Sequence, residues 1–208
     1  ILGPSGMGKT TLLQLVLGDL TPTNGHVLID GQDVLDYQNH RTNLFAVLDQ
    51  SPFLFNTSIV NNVRLGNEDA SDETVAAALK AVKLDQLVAQ LPNGMNSSVE
   101  EAGFGFSGGE RQRLSLARIL LQDAPIVLLD EPTVGLDPIT EQALLNTMFT
   151  VLKGKTILWV THHLQGVSQT DRVIFLEDGR LTMNDSPQHL AEQNKRYQNL
   201  YALDAGLR

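Results

Sequence analysis

Cysteine is missing from all 208 residues, which removes disulfides, thiolate metal sites and a cysteine nucleophile together. No run of 18 apolar residues occurs, and no cationic leader precedes an apolar stretch, so this sequence holds neither a membrane-spanning helix nor a secretion signal. Positive charge is also scarce. Fifteen Lys and Arg against 24 Asp and Glu give a net charge of -9, which argues against a general grip on a phosphate backbone; no nucleic acid partner is expected. Internal repeats and low-complexity tracts are absent as well. What remains, 42% apolar and 19% charged residues with 17 Gly and 8 Pro, is the composition of an ordinary globular chain long enough to bury a core. Ile1-Leu2-Gly3 opens without an initiator Met and reads as the tail of a strand already in progress, so a fragment lacking its natural beginning is expected.

Local patterning divides the chain. Val27 to Ile29 reads as a strand closed by the turn Asp30-Gly31, and Leu44 to Leu48 as another ending at Asp49-Gln50. From Ser51 to about Leu91 the character turns helical, with Ser71 as an N-cap and Val75, Leu79 and Val82 at helical spacing. The segment from about 51 to 125 suits an inserted helical subdomain. A helix at Gly108 to Gln122 and an unbroken apolar strand, Ile126 to Leu129, are followed by a helix at Ile139 to Leu152 and a strand at Thr156 to Val160. After a short helix, Arg172 to Leu176 reads as a strand turning at Asp178-Gly179. Pro187 to Leu203 reads as helical and amphipathic, with Leu190, Tyr197, Leu200 and Tyr201 as packing residues. Strands alternating with helices imply an α/β fold with a mostly parallel sheet covered on both faces.

Gly3-Pro4-Ser5-Gly6-Met7-Gly8-Lys9-Thr10 matches the phosphate-loop pattern between a strand end and the helical run Thr11 to Leu17. Glycines let successive amides and the helix N-terminus face phosphate oxygens; Lys9 brings a mobile positive charge, and Thr10 offers a hydroxyl to Mg2+. A Gly-rich turn with a surface lysine is the plainer alternative. Asp130 and Glu131 follow the apolar strand Ile126 to Leu129 at the edge where open parallel sheets bind ligands. Asp130 suits Mg2+, through water, and Glu131 suits orienting and deprotonating a water that attacks the γ phosphorus. An acidic turn at a strand end is the competing reading. Ser107 and Glu110 form a capping-box pattern that leaves the amides of Gly108 and Gly109 at a helix N-terminus, open to an anion; a plain cap worth about 1 kcal/mol is the alternative.

With these motifs in hand, the chain strongly resembles the ATPase domain of ATP-binding-cassette transporters. Phe106-Ser107-Gly108-Gly109-Glu110-Arg111-Gln112-Arg113 resembles that family's signature, Gln50 its glutamine loop, Gly135-Leu136-Asp137 its D-loop, and His162 its switch histidine. The resemblance implies a P-loop ATPase that occupies 1–208 as a single domain, with N-terminal strands missing. It implies two ATP molecules sandwiched in a head-to-tail dimer with a second such domain, each held between one phosphate loop, extended through Thr11, and the opposite signature. His162 is implied to contact the γ phosphate and the attacking water, Gln50 to sense the γ phosphate or Mg2+, and Asp137 to act at the dimer contact, where a helix cap before Pro138 is the other reading. Phe53, Leu54 and Phe55 resemble the surface that receives a coupling helix of the transmembrane domain, though they could equally pack between subdomains.

The sequence departs from the family pattern at four places: Phe106 stands for the usual Leu, Asp49 for Pro, His163 for the Arg of many exporters, and Glu100 for Gly. None removes a catalytic group. Within the family, Leu121 to Pro125, Thr133 to Asp137 and Thr161 to Val167 most resemble the C subunit of the bacterial heterodimeric exporter linked to cytochrome bd assembly. That implies export of cysteine or glutathione, or of haem, from the cytoplasmic face of the inner membrane. Lipid, peptide or drug cargo, and a soluble ATPase acting on nucleic acid or ribosomes, are the alternatives.

Overall fold

A computed structural model of the chain describes residues 1–99 and 106–206. In chain order its elements are α1 (Lys9–Leu17), β1 (Leu28–Ile29), β2 (Gln32–Asp33), α2 (Arg41–Leu44), β3 (Phe45–Leu48), α3 (Ile59–Arg64), α4 (Asp72–Ala81) and α5 (Asp85–Ala89). Then come α6 (Gly108–Gln122), β4 (Ile126–Asp130), α7 (Pro138–Val151), β5 (Thr156–Val160), β6 (Val173–Glu177), β7 (Arg180–Asp185), α8 (Pro187–Gln193) and α9 (Lys195–Gly206). Two compact units result, one of Ile1–Arg41 with Leu158–Arg208, the other of Thr42–Ile157.

The first unit is built around the start of the chain. The Thr161 amide donates to the Ile1 carbonyl, the Leu2 amide to Ile174, and the Leu176 amide to Leu2, at 3.1, 2.8 and 2.8 Å. Leu2 thereby forms an isolated parallel bridge with Phe175, outside any named strand. β1 and β2 form an antiparallel hairpin, as do β6 and β7. Both turn on Asp-Gly pairs, Asp30-Gly31 and Asp178-Gly179, with positive φ at all four residues, the conformation that matches hairpin twist.

One expectation for this unit needs correction, the packing of Tyr201. The segment Pro187 to Leu203 is two helices, because Asn194 ends α8 and its Oδ1 then accepts from the Tyr197 amide, 3.0 Å, to start α9. Leu190 and Tyr197 are buried, but Tyr201 is 49% exposed and does not join the core. The short helix after β5 is a single 3-10 turn, Val167–Gln169.

In the second unit β3 and β4 pair in parallel, from Phe45 opposite Ile126 to Leu48 opposite Leu129. Leu44 closes α2 rather than opening β3. Val127, Leu128 and Leu129 are all buried, as expected for a strand covered on both faces. β5 begins on the far side of β4, where the Thr156 amide donates to the Pro125 carbonyl at 2.9 Å. Helix α6 packs on β3 and against α3 and α4, burying Leu114, Leu116 and Ile119 with Ile59, Val75 and Leu79. Ser71 caps α4 by accepting from the Thr74 amide, and Val75, Leu79 and Val82 form its buried stripe.

Candidate functional site

The first unit carries the glycine loop and His162. Gly3 sits at φ 150°, and a Cβ there would stand 2.2 Å from the Leu176 carbonyl oxygen, so the close approach of β6 demands glycine. Gly8 precedes α1 in the left-handed region, φ 83°, with no side chain capping the helix. Cβ atoms added at Gly6 or Gly8 would meet nothing within 4 Å. The loop is therefore an open cradle over uncapped amides, a shape that accepts phosphate oxygens. Lys9 is only 5% exposed, and its ammonium donates to the Gly3 and Pro4 carbonyls at 2.8 and 3.0 Å. The buried charge is thus held over the loop's entry, while Thr10 and Thr11 remain exposed. His162 lies exposed beyond β5, its ring 4.1 Å from that of His163 at a 43° tilt.

The second unit carries the remaining candidates. Glu131 leaves β4 in the left-handed region at φ 48°. A non-glycine residue there costs about 1–2 kcal/mol, a strain that concentrates at working sites. Asp130 and Glu131 are both half-buried. Ser107 and Glu110 complete the capping box: the Glu110 amide donates to Ser107 Oγ at 3.3 Å and the Ser107 amide to Glu110 Oε2 at 2.7 Å. Gly109 is crowded, since a Cβ there would lie 2.7 Å from Thr140 Cγ2. Asp137 caps α7 by accepting from the Ile139 and Thr140 amides at 3.1 and 3.0 Å. Hydrogen bonds from the Thr140 side chain first, then from its amide, hold the Asp137 carboxyl below its usual range. The cap expected as one reading of Asp137 is therefore present.

Sequence reasoning missed what holds these pieces in place. Gln112, 3% exposed, donates from Nε2 to the carbonyls of Asp49 and Gln50 at 3.0 and 2.8 Å, tying α6 to the segment that carries exposed Gln50. Gln50, Gly108, Arg111, Gly135 and Leu136 line one cavity of about 380 Å³ with Gln112. Thr133 donates to the buried carboxylate of Glu141, 3.0 Å, fastening the loop between Glu131 and Asp137 to α7. A charged residue three positions before buried Leu144 was the available signal. Asn62, wholly buried, accepts from the Phe55 amide and donates to its carbonyl, both at 2.9 Å, while Arg118 donates to the Asn62 and Phe53 carbonyls. Phe53, 69% exposed, and Phe55 stand out from this braced loop in edge-to-face contact, 4.9 Å apart.

Of the four departures, Phe106 is buried, Asp49 is exposed, and His163 meets Asp204. Glu100 lies outside the described residues. No three His, Cys, Asp or Glu side chains among the described residues cluster as a metal cage. Mg2+ commonly takes one or two protein oxygens and completes its shell with phosphate and water, so Thr10 and Asp130 offer a suitable donor type.

The model of the ABC transporter family matches residues 1–134. The chain belongs to that family. It is an ATPase domain of ABC type, a nucleotide-binding P-loop fold. It is 54% identical over 204 residues to the glutathione/L-cysteine transport system ATP-binding/permease protein CydD of Bacillus subtilis, covering 98% of this chain and 36% of that one. The mycobactin import ATP-binding/permease protein IrtB of Mycolicibacterium smegmatis is 41% identical over 203 residues, 97% of this chain and 35% of that protein. A bacterial Atm1-family ABC exporter solved with ATP bound matches with a TM-score of 0.86 at 36% identity, over 98% of this chain and 36% of its own. The chain thus spans little more than a third of these ABC relatives.

Proposed function

We propose that residues 1–208 act as one ATP-hydrolysing domain, with a helical subdomain at about 51 to 125, powering a membrane exporter through dimerisation around two ATP molecules. The observation that carries the reading is the open glycine cradle at the uncapped head of α1 with Lys9 buried above it. The loop from Gly3 through Pro4 to Thr11 binds the phosphates through the N–H groups of its residues other than Pro4 and through the Lys9 ammonium. Thr10, Asp130 and Gln50 would hold Mg2+, which would supply charge neutralisation on the phosphate oxygens. Glu131 accepts a proton from the attacking water, and His162 orients that water and the γ phosphate. Ser107, Gly108, Gly109 and Glu110 close over the nucleotide of the partner domain, and Asp137 meets that partner. The exposed pair Phe53 and Phe55 docks a coupling helix of a transmembrane domain, and its bracing by Asn62 and Arg118 supports that use.

The cargo we assign is cysteine or glutathione, with a haem-related cargo as the finer alternative, in a heterodimer at the cytoplasmic face of a bacterial inner membrane. Support comes from the named transport system of the Bacillus relative. That relative bears the name CydD, whereas the local motifs resemble the C subunit; the thiol assignment is common to both. Relatives named for import and for export share this engine, so direction has to be measured in vesicles.

The test is Mg2+-dependent ATP hydrolysis by the full-length transporter with its partner, reconstituted in vesicles, beside the Glu131→Gln variant. Turnover should fall by about 10² to 10⁴ with ATP binding retained. Undiminished hydrolysis overturns the base assignment. Vesicles that hydrolyse ATP without moving glutathione, cysteine or haem overturn the cargo.

A further inference from the structure

Thr161 to Leu164 form a short segment between β5 and the 3-10 turn, and α9 reaches it through one carboxylate. Asp204 Oδ2 accepts from the Leu164 amide at 3.0 Å, and Asp204 Oδ1 lies 3.3 Å from His163 Nδ1. The other end of the segment is held by buried Thr161. Its hydroxyl accepts from the His163 amide at 3.0 Å and its own amide donates to Ile1. Between these two anchors the His163 ring lies against that of His162. The His163 side chain is about one-third exposed and that of Asp204 one-fifth, so the contact is partly withdrawn from water. Charge-assisted bonds in such a setting are stronger and more directional than exposed ion pairs.

We infer that Asp204 is a positioning residue for ATP hydrolysis. By gripping the Leu164 amide and the His163 ring, it sets the direction in which His162 points. This deepens the ATPase reading and rests on it for the role of His162. Asp204 touches neither water nor phosphate in this scheme. Its contribution lies in restricting the conformations of 162–164, so that His162 reaches the reacting water without first losing backbone freedom. A helix distant in sequence thereby reports its own docking to the hydrolytic step. If α9 is displaced or covered differently, turnover changes while nucleotide affinity does not.

The experiment uses the full-length transporter with its partner in vesicles. Asp204→Ala should lower kcat on the order of tenfold, the loss expected for hydrogen bonds with one charged partner, and leave KM for ATP within about twofold. Asp204→Asn, which keeps an oxygen for the Leu164 amide, should recover part of that loss. In a His162→Ala background the same Asp204→Ala change should leave the residual rate unaltered, because the two residues act in series. Leu203→Ala, at an exposed neighbour on α9, should match the unmodified protein. Hydrogen exchange should rise about tenfold in peptides covering 161–166 of Asp204→Ala and remain unchanged in β6. A kcat equal to that of the unmodified protein, or an equal fractional loss in the His162→Ala background, overturns the inference. Unchanged exchange at 161–166 overturns it independently. Altered exchange in a protein that hydrolyses no ATP would instead remove the ATPase reading and leave only the anchoring.

Discussion

Glycine stands at the start of both α1 and α6, as the residue before the helix in one and its first residues in the other, and the two beginnings are built for opposite reasons. At α1 the glycine before the helix is left-handed, its surroundings are open, and no side chain caps the turn. At α6 a reciprocal capping box already satisfies the Ser107 and Glu110 amides, and Gly109 is small because Thr140 crowds it. The first start has no side-chain cap and lies open around Gly6 and Gly8. The second is largely self-sufficient and confined by its neighbour. Glycine in a phosphate-binding motif is therefore evidence of backbone need at one place and of steric need at the other.

The largest effect that would test this contrast is on Lys9. Lys9→Ala removes a charged donor from the α1 cradle and should weaken nucleotide binding by roughly 10- to 100-fold, measured by titration of the full-length transporter. Equal affinity would break the proposal that the start of α1 binds the nucleotide. Next comes Gly109→Ala, where crowding should cost about 1–3 kcal/mol in a denaturant melt and should be relieved by adding Thr140→Ser, which deletes the colliding methyl. Gly8→Ala should cost about 1–2 kcal/mol from its backbone conformation, with no neighbour whose shortening relieves it. Rescue at Gly8, or its absence at Gly109, would reverse the assignment. Ser107→Ala should cost about 1 kcal/mol in stability.

The smallest effect concerns Asp137. Its folded-state carboxyl is depressed, so at acidic pH the unfolded chain binds more protons and stability rises with pH there. The contribution is full above the ordinary carboxylate range, near pH 4, and is lost as pH falls through the lower folded value. Asp137→Asn should flatten that part of the pH–stability profile in denaturant melts, matching the unmodified protein at low pH and lying slightly below it at neutral pH.

Legibility from sequence followed how local each determinant was. The boundaries of α6 were readable because Ser107 and Glu110 form a self-contained cap three residues apart. Both Asp-Gly turns were readable because only a few residue pairs adopt two consecutive positive φ values. Strand β7 was not foreseen: Arg180 to Asp185 is largely exposed, and its pairing with β6 supplies what its composition does not. The break at Asn194 was hidden because one asparagine both ends α8 and starts α9, within a stretch whose apolar spacing runs on. Candidate residues carrying phosphate chemistry were legible as motifs. Their supports, Gln112 to Asp49 and Asp204 to Leu164, join residues 63 and 40 positions apart, beyond the reach of any spacing rule.

Asn62 offers both halves of its carboxamide to the backbone of Phe55, as the peptide unit of an adjacent strand does. The aromatic loop is therefore stiffened like the edge of a sheet, yet the mimic ends after a single residue and leaves no ladder for a foreign chain to extend. An exposed aromatic pair can in this way stay firm while resisting uncontrolled self-association.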